Sequence, residues 1–580
     1  HVMYKSIFAQ GKGNNKHLIH LWSDEGYHTE EWYNTPYKEC SESKAKYKGL
    51  KGELLCKSDR EWNRNDPGLH FHDISAHQKF LIEKYGVNDE PSKTHKELFF
   101  DIETEMGDSL TVDYISSAPK KVTSIAWYDK QADKWGVLIL DEKGQLKRTY
   151  DKQRNKEIIP VRYEEDLLDQ FLNHWEEIQP DIVTGWNSDY FDIPYLYYRM
   201  CFILGPEEAK RLSPIRVVDD AKTKGEYWYK KDMYVDIAGV ESLDYMRLHK
   251  KFSWADEPSY KLDAIGEKYA GINKIEYEGN LDRLFEDDIQ TFIQYNFRDV
   301  EILKVLDEKL QYLALTKNLA HKGKIRYHEV YASSKIHDGA ISAYLLSQNI
   351  IPPSRDRNPI TKKNYAGGYL FCPKAGIFKY MFDEDLTSLY PSIIMSLNIG
   401  KETLVGRIIV EDERVVVAGK EIFNCRYGLN DLKNRNPEEE LIVENADRKR
   451  ARVSVSKLIS MVEKNNYAIS ANGVLYRTDK PSVLSTILDK WFDERVLYKN
   501  QMKKAYKAGD EEKGASFYMQ QYTMKILLNS LYGATALGSF RYGNVILSES
   551  ITLSGQRIIQ ESALCANRHM NKVIKGEITL

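Results

Sequence analysis

The sequence predicts a multidomain chain of mixed α/β and α+β class. Three observations carry that expectation. The chain has 580 residues, room for several domains of ordinary size. Between about residues 97 and 312, short apolar runs alternate with helical patterns, as in a domain built around a mixed sheet. Farther on, two long helical patterns lie between Val483 and Gly533. Apolar residues make up 42% and charged residues 29%, values of a folded chain. The 83 basic and 86 acidic residues leave a net charge of −3. That excludes a uniformly basic nucleic-acid binder but leaves room for a local basic groove.

Taken in order, residues 1 to about 96 are polar with alternating runs such as His17–Trp22, which predicts a small β-rich domain. His1 and Val2 precede Met3, as a tag remnant ahead of a native start would. The segment around Asn88–Lys96 reads as a linker. Strands are predicted at Leu98–Thr104, Val122–Tyr128 and Asp181–Gly185, and helices at Glu164–Ile178 and Leu284–Leu313. Residues 313–356 are expected to return to the N-terminal domain. Tyr365–Gly368 is a glycine-rich turn, and Met381–Ser388 reads as a strand ending at a turn. From Lys433 to Arg452, eleven of twenty residues are charged, the pattern of a solvated insertion. The two late helices should break near Ala508-Gly509-Asp510. Six scattered cysteines without a CxxC pair argue against a disulfide framework or a structural zinc site. No run of 18 apolar residues suggests a membrane span.

Two constellations carry chemistry. Asp101 and Glu103 stand at i and i+2 of one strand, so both carboxylates face the same side. Among Phe99, Phe100 and Ile102 they repel each other unless cations neutralise them. Oxygen ligands at this charge density suit a pair of Mg²⁺ or Mn²⁺ ions, although the pair alone also reads as an edge pair in water. Asp192 follows in Thr184–Pro194, and Tyr295 and Asp299 share a helix face at i and i+4. In this chain order the four acids and the tyrosine resemble the 3′–5′ exonuclease domain of family B DNA polymerases and the wider DEDDy group. The resemblance implies an RNase H-like fold over residues 97–312, with Asp101, Glu103, Asp192 and Asp299 as two-metal ligands. It also implies that Tyr295 positions the attacking water. Ile215–Ile237 reads as a β-hairpin with a basic tip at Lys222–Gly225; its position resembles the hairpin that parts a frayed primer end from the template.

The second constellation begins at Asp385–Ile394 (DLTSLYPSII), an acid before a tight turn whose backbone N–H groups can cradle phosphates. Arg495 and Lys499, with Lys503, form a basic stripe on the first late helix. Gln521, Lys525, Asn529 and Tyr532 line the second. Asp385–Ile394 resembles motif A, and Lys525–Gly533 (KILLNSLYG) motif B, of family B DNA polymerases. The resemblance implies that Asp385 binds both catalytic metals and that Ser388 and Leu389 offer backbone to the phosphates. Tyr390 would exclude a 2′-hydroxyl. Arg495, Lys499 and Lys525 would hold the triphosphate, while Asn529 and Tyr532 would pack on the nascent base pair. Gly533 would admit the template base. Tyr365, Gly367 and Gly368 match the family's YxGG turn, implying contact with the template strand.

Together the order and phrasing resemble the polymerases of large tailed phages of the T-even kind over about 97–580. The implied domains are an N-terminal domain (1–96, with 313–356), the exonuclease (97–312) and a first palm part (357–480, with the charged insertion at about 405–470). Two-helix fingers (481–537) and a second, partial palm part (538–580) follow. Motif C, an Asp-Thr-Asp hairpin that completes the palm metal site, is absent, as are the thumb and the C-terminal peptide that holds a sliding clamp. A split gene, an intein junction or a cut chain would each give this ending. The expected partners are primer-template DNA, dNTPs, a second polypeptide carrying motif C and the thumb, and through it the clamp. The setting would be the cytoplasm of an infected bacterium. Two alternatives stay open: a free-standing 3′–5′ exonuclease, and a non-catalytic DNA-binding scaffold subunit.

Overall fold

The computed structural model describes residues 3–107, 111–220, 235–253, 256–357, 359, 366–370, 375–379, 381, 383–417 and 420–575. The chain divides into two units, one of His1–Asn34, Arg60–Trp62 and Ser75–Ala332, the other of Thr35–Asp59, Asn63–Ile74 and Ser333–Leu580.

In the first unit, Tyr4–Gly11, Lys16–Ser23 and Gly26–Tyr33 form an antiparallel meander. The alternation in His17–Trp22 explains it, since Ile19 and Leu21 are fully buried. A seven-stranded mixed sheet follows, in the order Thr149–Asp151, Lys156–Val161, Lys134–Leu140, Val122–Asp129, Glu97–Thr104, Ile182–Gly185, Glu241–Asp244. Glu97–Thr104 runs antiparallel to Val122–Asp129 and parallel to Ile182–Gly185.

The two faces of that strand have different fates. Leu98, Phe100 and Ile102 enter a core with Leu167, Leu168, Phe171 and Leu172 of the helix Glu164–Ile178. Asp101 therefore points to the other face, where Asn296 of the helix Ile289–Leu310 donates to it. A register slip of one residue would exchange the faces, so the core fixes where the acids stand. Glu164 begins its helix among three acids of the first turn, favourable near a helix N-terminus. It also accepts two hydrogen bonds from Arg199, at 2.8 and 2.6 Å. The segment around Lys222–Gly225 lies outside the described residues; its flanks Val218–Asp219 and Asp236–Ile237 pair antiparallel.

In the second unit, Ile350–Ile351, Tyr47–Gly49, Leu54–Lys57 and Tyr37–Glu39 make one sheet. The charged run belongs to a folded module. Five strands (Arg450–Ser454, Glu440–Asn445, Leu404–Ile408, Val474–Tyr476, Ala468–Ile469) pack on the helix Val455–Asn465 around Leu432, Val455, Leu458, Val462 and Leu475. Its charges pair across strands: Glu444 accepts from Arg407 at 2.9 Å and from Arg450 at 3.0 Å. The described residues of Met381–Ser388 form no strand; Ser388 is left-handed (φ 53°) and the helix Leu389–Leu397 starts after it. Without a partner, an extended segment has no ladder to hold it. The two late helices are Val483–Lys507 and Glu511–Thr535. Gly509 between them takes φ 76°, and Asp510 caps the second helix. Among the described residues, no helix is long and apolar enough to cross a membrane, and the five cysteines are free.

Fully buried Arg541 ties this unit together. It donates to Asp338 at 2.8 Å, to Asp73 at 2.5 Å and to the Pro353 carbonyl at 2.6 Å. Removing the guanidinium takes from Asp73 its side-chain cation and leaves Asp338 with Arg355 alone, at 2.8 Å. Arg541→Ala should lower stability by about 3–5 kcal/mol, read as a lower denaturant midpoint at unchanged slope. A loss below about 1 kcal/mol, the worth of an exposed pair, would contradict this assignment.

Candidate active site

The acidic cluster assembles from three elements. Asp101 and Glu103 come from the strand Glu97–Thr104, and Asp299 from the helix Ile289–Leu310. Carboxylate oxygens of these three lie within 4.8 Å of one another. Asp192, the first residue of the helix Asp192–Ile203, is 3% exposed and accepts the backbone N–H of Ile102 at 3.1 Å. It is thus tied to the same strand at Ile102, the residue between Asp101 and Glu103. The turn that delivers Asp192 is tight. A Cβ on Gly185 would fall 2.9 Å from the Ser188 side chain and 3.0 Å from the Phe100 carbonyl. Asp244 holds the turn by accepting the N–H groups of Asn187 at 3.0 Å and Asp189 at 3.3 Å.

The electrostatics follow from this crowding. Burial, then the charges of Asp299, Glu103 and Asp192, push the Asp101 carboxyl well above its ordinary range. Burial and then Asp299 push Glu103 up to about 8. Burial takes Asp192 to about 7, against the pull of the Ile102 N–H. One cation answers them. Lys274 Nζ lies 2.6 Å from Asp299 Oδ2 and 3.1 Å from the Tyr295 hydroxyl. Burial disfavours its charge, but Asp299 outweighs that and keeps the ammonium protonated. Asn296 donates to Asp101 Oδ2 at 2.7 Å and accepts from Ser124. Tyr277 meets the Tyr295 ring edge-on at 5.4 Å.

The donor set suits hard divalent cations: four carboxylates, with buried Asp299 Oδ1 lacking any hydrogen-bond partner. Sequence reasoning missed Lys274 and Asn296. Asn296 shares the helix face of Phe292 and Asp299, so its spacing could have revealed it. Lys274 sits in an irregular loop, and no local pattern marks it.

In the second unit, the Tyr390 and Tyr532 rings meet with centroids 4.5 Å apart, joining the helix Leu389–Leu397 to the second late helix. Gly555 makes room for this, since a Cβ there would fall 3.0 Å from the Tyr390 ring. Arg495, Lys499, Lys503 and Lys525 converge. Arg495 first, then burial and the other two lysines, lower the Lys499 pKa. Burial also lowers that of Arg495, whose Nε has no partner. Such a cluster of cations on facing helices suits a polyanion. Asn529 is exposed, and Gly533 has open space where a Cβ would be. The Gly367 carbonyl accepts from Gln556 at 2.7 Å. A Cβ on Gly368 would sit 3.5 Å from the Tyr390 hydroxyl. Tyr365 lies outside the described residues. Asp385 is exposed and lines a cavity of about 670 Å³ with Leu386, Leu389, Phe378, Met381 and Ile559 among its walls.

Comparison with known proteins gives these sites a context. The sequence model of DNA polymerase family B, exonuclease domain, matches residues 16–265, and that of DNA polymerase family B matches 331–578. The DNA-directed DNA polymerase of Escherichia phage RB69 is 30% identical over 470 residues, covering 72% of this chain and 47% of the relative. That of Enterobacteria phage T4 is 30% identical over 425 residues, with the same coverage. DNA polymerase 1 of Saccharolobus solfataricus is 24% identical over 433 residues, 71% of this chain and 41% of the relative. The chain spans about half the length of the phage relatives it matches. The two family matches fall on the two units that hold the acidic cluster and the cationic helices, and the chain belongs to family B of the DNA polymerases, with that family's exonuclease domain.

Proposed function

We propose that this chain supplies the proofreading exonuclease and the nucleotide grip of a replicative phage DNA polymerase acting in the host cytoplasm. The observation that carries the reading is the approach of Asp101, Glu103 and Asp299 within 4.8 Å, on a face that burial makes expensive for bare charge. Asp101, Glu103, Asp192 and Asp299 would hold two divalent ions, Mg²⁺ or Mn²⁺, in a DEDDy arrangement. When bound, such ions stabilise the attacking and leaving oxygens of phosphodiester hydrolysis. The protein's own part is positional. The Ile102 N–H fixes Asp192, Asn296 fixes Asp101, and Lys274 pins the Tyr295 hydroxyl, which keeps its proton and can orient a water molecule.

In the second unit, Arg495, Lys499 and Lys525 would bind the triphosphate of a dNTP, their charge matching its own. Tyr390, held against Tyr532, would bar a 2′-hydroxyl. Ser388 and Leu389 would offer backbone to the phosphates, Asn529 and Tyr532 would meet the new base pair, and Gly367, Gly368 and Gly533 the template. Asp385 would share the metal pair of nucleotidyl transfer with a second acidic site on another segment. The exposed Met381 and Leu386 in the Asp385 cavity support this, because they offer an apolar seat for another segment.

With Mg²⁺ the chain should shorten single-stranded DNA from its 3′ end, and Asp101→Ala should slow this at least roughly 100-fold. Full activity in the variant would overturn the site. In chelator, Asp101→Asn should raise the thermal midpoint of the first unit, because burial and the neighbouring acids make this carboxyl costly to hold; an unchanged or lower midpoint would contradict the electrostatic account. Template-directed extension should appear only when a polypeptide supplying the second acidic site is added. Extension by this chain alone would refute that division of labour.

A further inference from the structure

One hydroxyl on the acidic face has no part in the chemistry proposed above. The register of the strands Glu97–Thr104 and Val122–Asp129 sets Ser124 directly opposite Glu103 and Ala126 opposite Asp101. Residues paired in this way share a face of the sheet, so Ser124 stands on the side of the acids. It is fully buried, as is Asn296 of the helix Ile289–Leu310. The Ser124 hydroxyl donates to Asn296 Oδ1 at 2.5 Å. Asn296 Nδ2 in turn donates to Asp101 Oδ2 at 2.7 Å and lies 3.4 Å from the Asp101 carbonyl oxygen. A chain of hydrogen bonds therefore runs from the neighbouring strand, through the helix, to a carboxylate of the cluster.

That chain has a direction. An asparagine amide carries its acceptor at one end and its two donors at the other. Its last torsion is soft, so the bonds it makes, more than its rotamer, decide which end faces where. With the Ser124 hydroxyl on the oxygen, the N–H groups turn to Asp101. Without that hydroxyl, Oδ1 is left in the interior without its donor, and the amide is held only by the carboxylate that it holds. A buried amide and a buried hydroxyl are costly unless both are bonded. Packing alone does not call for them, because Phe292, Ile293, Val300 and Leu303 already bury the helix. The chain ends on Asp101, and that is where its effect should be felt. Groups that orient a metal ligand from behind typically change metal affinity by about 10- to 100-fold when removed.

We propose that Ser124 is a positioning residue of the metal site: through Asn296 it fixes the orientation in which the Asp101 carboxylate would meet a divalent ion. The proposal rests on the metal reading of the acidic cluster. The test titrates Mn²⁺ into the full, metal-free chain, follows binding by electron paramagnetic resonance, and records the thermal midpoint of each variant in chelator. Ser124→Ala should bind Mn²⁺ about 10-fold more weakly than the wild type. Asn296→Ala should bind at least as weakly. The double variant should be no weaker than Asn296→Ala, because the hydroxyl acts only through the amide. Ser124→Thr, which keeps the hydroxyl, should bind like the wild type. A lower thermal midpoint in Ser124→Ala with unchanged Mn²⁺ affinity would mark a bond that only holds the fold, and would overturn the positioning role alone. So would a further loss of affinity when Ser124→Ala is added to Asn296→Ala. A wild type that binds no Mn²⁺ would overturn the metal reading and the positioning role with it.

Discussion

The mutual repulsion of carboxylates gathered on one face of a buried strand is the constraint from which the first unit is built. Asp101 and Glu103 share their face with Asp192 and Asp299, and burial raises the cost of every charge among them. The opposite face repays that cost. Leu98, Phe100 and Ile102 lock the strand's register through the core beneath the helix Glu164–Ile178, so the acids stay together despite their repulsion. Lys274 supplies one positive charge, and the proposed divalent ions would meet the remaining need for cations.

The second unit presents the complementary imbalance. Arg495, Lys499, Lys503 and Lys525 crowd on two antiparallel helices, close enough that the other three lower the proton affinity of Lys499. Their helices stand on a buried base of Leu484, Ile487, Leu488 and Trp491. Each unit thus holds like charges in place with apolar packing, at a position where a ligand of opposite sign would neutralise them. The near balance of 83 basic and 86 acidic residues conceals both imbalances.

The cluster was legible where a period carries it. The i, i+2 spacing put Asp101 and Glu103 on one face, and the i, i+4 spacing put Tyr295 with Asp299. Lys274 was not legible, because a loop residue reaches the site through tertiary folding with no period to announce it. The run Lys433–Arg452 reads as a solvated insertion, yet it folds. Its charges pair across strands, as Glu444 does with Arg407, which lies 37 residues away, and local composition does not register such pairs. Met381–Ser388 has the residues of a strand, but among the described residues no neighbouring strand pairs with it. Gln521 was expected in line with Lys525, Asn529 and Tyr532, but at 7% exposure it is buried on the packed side of that helix.

The central claim is that the acidic face exists to hold divalent cations. Electron paramagnetic resonance of Mn²⁺ titrated into the metal-free chain tests it most directly. The account predicts Mn²⁺ bound to the wild type, and its loss when Asp101 and Asp299 are both replaced by alanine in a chain that remains folded. Mn²⁺ binding of unchanged stoichiometry and affinity in that variant would contradict it.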